Sequence, residues 1–221
     1  MRSIALFITI VIALLALPLL FMPADPGSRP LPQENLPWQV ERLPDGSTRV
    51  FGLIPGRSTL AEARSRLGSE AQVALIVAPG ESGSLEVYDD NFSAGFVTGK
   101  MVLTLASTAE ERAGMLERAS KAEYMESTTR RVELGDADRV RAEGAAISAI
   151  VFIPAARLDE EIVLQRFGPP AERIRSDENR EHFLYPDIGL DLQLDAKGKE
   201  VLQYVAPAEF ARLRDPLMAK K

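Results

Sequence analysis

The chain has 221 residues, 46% of them hydrophobic and 26% charged, with a formal net charge of -6. That composition belongs to a globular protein rather than a disordered one, and its acidity disfavours nucleic acid or anionic lipid as a broad electrostatic partner. It contains no cysteine and a single histidine, His182, which removes thiol catalysis, disulfides, cysteine-based metal centres and histidine-rich metal sites.

Ile4 to Met22 form an apolar run broken only by Thr9. As a helix it would span roughly 28 Å, close to the hydrocarbon core of a bilayer. Arg2 precedes it and no positive charge follows until Arg29, which orients the N-terminus to the cytoplasm and the rest outward. Residues 1–22 are expected to be a transmembrane signal-anchor. The alternative is a cleaved signal peptide with its cut after Ala24, where Met22 is bulky for the site. Either way the remainder is exported: at the bacterial inner membrane as a single-pass protein with a periplasmic C-terminal part, or soluble in the periplasm. Residues 23–37 hold Pro23, Pro26, Pro30, Pro32 and Pro37 and read as a semi-rigid spacer.

Trp38 to Leu43 alternates as a half-buried strand, with Trp38 a core or edge residue. Pro44-Asp45-Gly46 forms a turn, and Ser47 to Ile54 is the return strand. Pro55-Gly56 ends it. Thr59 and Glu62 match a capping box for a short helix that Leu67-Gly68 stops. A glycine turn before a helix can bind an anion, but the capping side chains compete for the same amides. Val73–Ala78, Leu85–Tyr88, Phe92–Val97 and Met101–Leu105 read as an antiparallel meander, separated by turns that include Asp89-Asp90-Asn91 and Gly99-Lys100. The acidic triplet lacks the ligand spacing of a calcium loop. Thr108 to Glu123 is a capped bridging helix, Glu126 to Leu134 an exposed strand, and Asp136 to Glu143 helical up to Gly144.

Ala146 to Ile153 is a buried strand ended by Pro154. Leu158 to Phe167 is a helix whose acidic start (Asp159, Glu160, Glu161) suits the dipole, with Gly168-Pro169-Pro170 as its stop. Strands follow at Ala171–Arg175, Glu181–Tyr185, Leu190–Leu194 and Val201–Val205, then a tail helix from Pro207 to Leu213. Landmarks recur at nearly one offset: Pro55 with Pro154, Leu67-Gly68 with Phe167-Gly168, Tyr88 with Tyr185, and Gly99-Lys100 with Gly198-Lys199. The expected fold is α+β: two similar units (38–123 with its bridging helix, and 124–213, before a tail at 214–221). Each is a short helix on a three- to four-stranded antiparallel meander.

Pro55-Gly56-Arg57-Ser58-Thr59, Leu67-Gly68, Phe167-Gly168-Pro169-Pro170, Tyr185-Pro186, Gly189-Leu190 and Gly198-Lys199 resemble motifs of the β-lactamase-inhibitor-protein-like fold. That fold includes the small outer-membrane lipoproteins of the Bam assembly machinery. The resemblance covers roughly 50–205 and implies protein binding, with no catalytic residues to carry over; the acylated cysteine of those lipoproteins is missing here.

No nucleophile elbow is present, so no catalytic, cofactor or metal residue is assigned. His182 on its strand is expected to be a surface or pairing residue. A membrane-tethered, non-enzymatic protein that binds another protein or a cell-envelope component is the expected function. The alternatives are an exported hydrolase using His182 with a serine (Ser58 and Ser84 being examples) or an acid, and a periplasmic inhibitor or small-ligand carrier on the sheet faces.

Overall fold

Strand β8, Ile147–Pro154, is the centre about which the chain assembles. Its alternation is that of a sheet with one covered and one open face: Ile150 and Phe152 are buried, whereas Val151 and Ile153 are half-buried. The structure, a computed structural model, describes residues 34–68, 71–119, 121–125 and 128–219. From Glu34 onward the chain forms one compact unit. No helix among the described residues is long and apolar enough to cross a membrane, and the expected span at 4–22 lies outside them.

Eleven further strands precede and follow β8 in chain order. They are β1 (Glu41–Arg42), β2 (Thr48–Arg49), β3 (Gln72–Val77), β4 (Ser84–Ala94), β5 (Val97–Leu105), β6 (Lys121–Tyr124) and β7 (Arg130–Glu133), then β9 (Glu172–Arg175), β10 (Arg180–Tyr185), β11 (Leu190–Asp195) and β12 (Val201–Val205) after β8, which makes the twelve. The first two form a small hairpin at the Asp45-Gly46 turn; the other ten make one antiparallel sheet in the order β6-β7-β3-β4-β5-β8-β12-β11-β10-β9. The segments expected as separate units thus contribute to one sheet, joined where β5 and β12 flank β8. Met101, Phe152 and Leu202 line up across those three strands and are fully buried.

Helices α1 (Leu60–Ala63), α2 (Ala109–Glu117), α3 (Asp136–Glu143) and α4 (Glu160–Phe167) each send buried apolar side chains into the core on that side: Leu60, Met115, Ala142 and Val163. Thr59 and Thr108 cap α1 and α2 in reciprocal capping boxes with Glu62 and Glu111, and Asp159 caps α4. Gly168 ends α4 at φ 77, a conformation that suits glycine. At the core's centre sits Phe51, itself at φ 53, in a two-residue turn whose Val50 and Leu53 exchange both backbone hydrogen bonds. A bulky residue at positive φ is strained. The offset is burial of its ring, 5.3 Å from Phe152, 5.6 Å from Phe92 and 5.8 Å from Tyr204.

Three expectations need correction. Gly99-Lys100 is no turn: the chain reverses at Gly95-Phe96, and Gly99 lies inside β5, paired with Pro154. Its missing side chain makes room for the neighbouring strand, since a Cβ there would sit 2.4 Å from the Ile153 carbonyl oxygen. Gly198-Lys199, its expected counterpart, does lie between strands, so these two landmarks occupy unlike positions. Asp89-Asp90-Asn91 is also within a strand, at an irregularity of β4, where buried Asp89 accepts hydrogen bonds from Gly68 N and Asn91 N. Finally, the helix begun at Thr108 ends at Glu117, and Lys121–Tyr124 is the edge strand β6. Its alternation of charged and apolar residues suits an exposed edge better than a helix face.

Candidate functional site

Directly opposite residues of an antiparallel ladder share a face. Tyr88, Val102, Val151, Gln203 and Asp191 therefore form one row across β4, β5, β8, β12 and β11, on the side away from the main core. At one end of that face lies the last helix, α5 (Ala211–Met218), longer than the expected tail helix. Phe210 before it, with Leu213 and Leu217, packs on Ala149, Ile174, Leu184 and Val205 in a second, smaller apolar cluster. Between that helix and Tyr88, the half-buried Val102, Val151, Ile153, Val201, Thr104 and Gln203 carry no covering element among the described residues.

Tyr88 rims this open face and is 39% exposed. Its hydroxyl donates to Asp90 (2.7 Å) and accepts from Lys100 Nζ (3.1 Å), while Lys100 also pairs with Asp90 at 3.2 Å. The hydrogen bonds from Tyr88 and then Lys100 hold the Asp90 carboxyl below its ordinary range; those to Tyr88 and then Asp90 raise the Lys100 ammonium. An exposed aromatic ring fixed in this way loses little freedom on binding.

His182 is buried rather than on the surface, and on the same side as Asp191. Its Nδ1 lies 3.0 Å from both Asp191 carboxylate oxygens and its Nε2 lies 3.2 Å from Ser176 Oγ. A carboxylate can only accept from the ring, so Nδ1–H donates to Asp191; with that tautomer the neutral ring accepts from the Ser176 hydroxyl at Nε2. The three side chains step diagonally from the β9–β10 turn across β10 to β11. The order acid, imidazole, hydroxyl is that of a hydrolytic triad. The surroundings differ from one. Ser176 N donates to Arg180 O, and the amides of Asn179 and Arg180 donate to Asp177 Oδ1, so these turn amides are committed. The arrangement clamps the β9–β10 turn to β10 and β11. Sequence alone pointed to His182 but missed Ser176 and Asp191, whose approach depends on register.

The other singled-out residues are engaged in contacts of the fold. Ser58 is nearly buried and its Oγ accepts from Ile54 N at 3.1 Å; Ser84 donates to Glu86. Gly56 N donates to Ile147 O, so that turn is stitched to β8 rather than open to an anion. Glu160 pairs with Arg173 at 2.8 Å. Trp38 is half-buried under the Arg166 guanidinium, 4.7 Å from its ring centre. Asp138, 1% exposed, accepts a two-pronged contact from Arg118 (Nη2–Oδ1 2.8 Å, Nε–Oδ2 3.0 Å), whose hydrogen bonds hold its carboxyl below the ordinary value. No group of three acidic or histidine side chains among the described residues is placed to hold a metal ion. No protein-family model, no curated protein and no solved structure matches this chain.

Proposed function

We propose that this chain is a non-enzymatic binding protein of the cell envelope. Residues 4–22 hold it at the bacterial inner membrane, residues 23–37 space it from the bilayer, and the folded part lies in the periplasm. It is a tandem module of the β-lactamase-inhibitor-protein-like kind, whose halves arose from one helix-on-meander unit. The open sheet face binds another envelope protein. The observation that carries this reading is the uncovered strip of Val102, Val151, Ile153 and Val201, flanked by Gln203 and Thr104 and rimmed by the pinned Tyr88. An apolar centre with a polar rim and an aromatic anchor is the composition of a protein interface. The committed amides beside Ser176 support a positional role for His182 in place of a hydrolytic one.

Site-specific photocrosslinking in intact cells tests it. A crosslinker at Val151 or Tyr88 is expected to trap one discrete protein that a crosslinker at Val140, 74% exposed on α3, does not. The same adducts at all three positions, or none at Val151 and Tyr88, would rule the open face out.

A further inference from the structure

A second feature lies at the end of the core face of the sheet, where the segment leading into α4 meets the β11–β12 turn. Here a cleft of about 350 Å³ is bounded by Arg157, Leu158, Arg180, Leu194, Asp195 and Glu200 among others. Glu200 immediately precedes β12, and its side chain is 4% exposed. Its Oε2 has no hydrogen-bond partner, the only such buried side-chain oxygen or nitrogen among the described residues. A charged oxygen removed from water with no donor is expensive, and such groups are rare in folded proteins.

The arginines around it leave that oxygen unserved because they are engaged elsewhere. Arg157 Nη2 donates to the carbonyls of Asp195, Ala196 and Gly198, and its Nε stays 3.7 Å from the other Glu200 oxygen. Arg180 sits on Asp177 at 2.7 Å, and Arg175 faces Glu181 at 3.9 Å. The valence left over is therefore an acceptor, not a donor. Five carboxylates line the cleft against three guanidinium groups, which favours a cation. Leu158 and Leu194 add apolar wall.

We infer that this cleft binds a cationic N–H donor carried on an alkyl stem, an ammonium or guanidinium of the lysine or arginine side-chain type. The head group donates to Glu200 Oε2 and the stem lies against Leu158 and Leu194. This site is on the opposite side of the sheet from the open face and stands without it.

Thermal unfolding of the full chain in detergent, titrated with Nα-acetyl-lysine amide, Nα-acetyl-arginine amide and the uncharged Nα-acetyl-norleucine amide, tests the inference. One or both cations should raise the unfolding temperature in a saturable way, and the norleucine amide should not. Glu200→Gln should weaken that response at least about tenfold. Its own unfolding temperature should equal or exceed that of the parent, because Oε2 has no donor to lose and the Arg157 contact is long. Ala196→Lys, which sets a tethered ammonium at the cleft mouth, should also abolish the response and serves if Glu200→Gln does not fold. The inference is overturned if neither cation stabilises the parent, if norleucine amide does so equally, or if either variant retains the full response.

Discussion

His182 and Asp191 meet in a buried contact between adjacent strands, the imidazole Nδ1 lying 3.0 Å from both carboxylate oxygens. They are diagonal, not opposite, neighbours: His182 faces Gln193 across the ladder and Asp191 faces Leu184. Asp191→Ala should destabilise the protein by about 1–3 kcal/mol, because the ring N–H is left buried without an acceptor. Ser176→Ala, at an exposed turn position, should change stability by less than about 0.5 kcal/mol. Urea unfolding of the two variants checks this. A large loss from Ser176→Ala with a small one from Asp191→Ala would mean that the hydroxyl, not the carboxylate, holds the clamp.

The Arg118–Asp138 contact ties the end of α2 to the start of α3. Because the Asp138 carboxyl is held below 3.8, its contribution is present above the unfolded-state value and disappears as pH falls through the folded one. Asp138→Asn should therefore be less stable than the parent at neutral pH, by about 1–3 kcal/mol, with the gap closing in acid. Denaturation midpoints from neutral pH down to below pH 4 measure it. A gap that does not change with pH would remove the carboxylate's charge from the account.

At the other end of the scale lie two tyrosines. Burial pushes the Tyr185 hydroxyl up to about 12, and it also raises that of Tyr204, which donates to Pro37 O at 2.8 Å, well above its ordinary value. A folded value above the unfolded value of 10.0 means that stability is intact below pH 10 and is lost as pH rises through the folded value. Tyr185→Phe should flatten the alkaline limb of the stability curve between about pH 10 and 12. Ultraviolet titration of the tyrosines, followed alongside circular dichroism, should show ionisation of the buried pair only as structure is lost.

Gly99 has no room for a methyl group, with the Ile153 carbonyl and the Phe152 ring both in the way. Gly99→Ala should cost about 1–3 kcal/mol through displacement of β5 from β8. Gly80→Ala, whose Cβ would meet nothing within 4 Å but whose φ is 80, should lose about 1 kcal/mol from backbone strain alone. Loss at Gly99 smaller than at Gly80 would show that the strands yield easily there.

On the open face, Val151→Arg should leave stability within about 1 kcal/mol, since the long side chain can reach water from a half-buried position. The proposal requires that it abolish the crosslink formed from Tyr88. An unfolding midpoint measured beside the crosslinking yield separates a lost partner from a lost fold.

The α+β class, the antiparallel strands and most helix starts were legible because their signals are local. Thr59 with Glu62, Thr108 with Glu111, and Gly168 after Phe167 each act within one turn of chain. The apolar run around Ile150 likewise announced a buried strand. What failed required knowledge of a neighbour. Gly99 looked like a turn because glycine signals both turns and close approach, and only the Ile153 carbonyl decides between them. Asp89 looked like part of a turn because its acceptor role depends on Gly68, twenty-one residues away. Ser176 and Asp191 have no pattern around His182 to mark them, since diagonal neighbours across a turn and two strands are defined by register alone.

The bond from the Tyr204 hydroxyl to the Pro37 carbonyl also fixes where the start of the described chain is fastened to the sheet. Under the proposed anchorage, tension reaching Pro37 would enter the fold at this point, beside the central strand pair. Antiparallel β12 and β8, joined from Leu202–Phe152 to Val205–Ala149, would then share the pull across several backbone bonds at once. A tether fastened there would make the middle of the sheet, and not its charged edges, the part that resists being drawn apart.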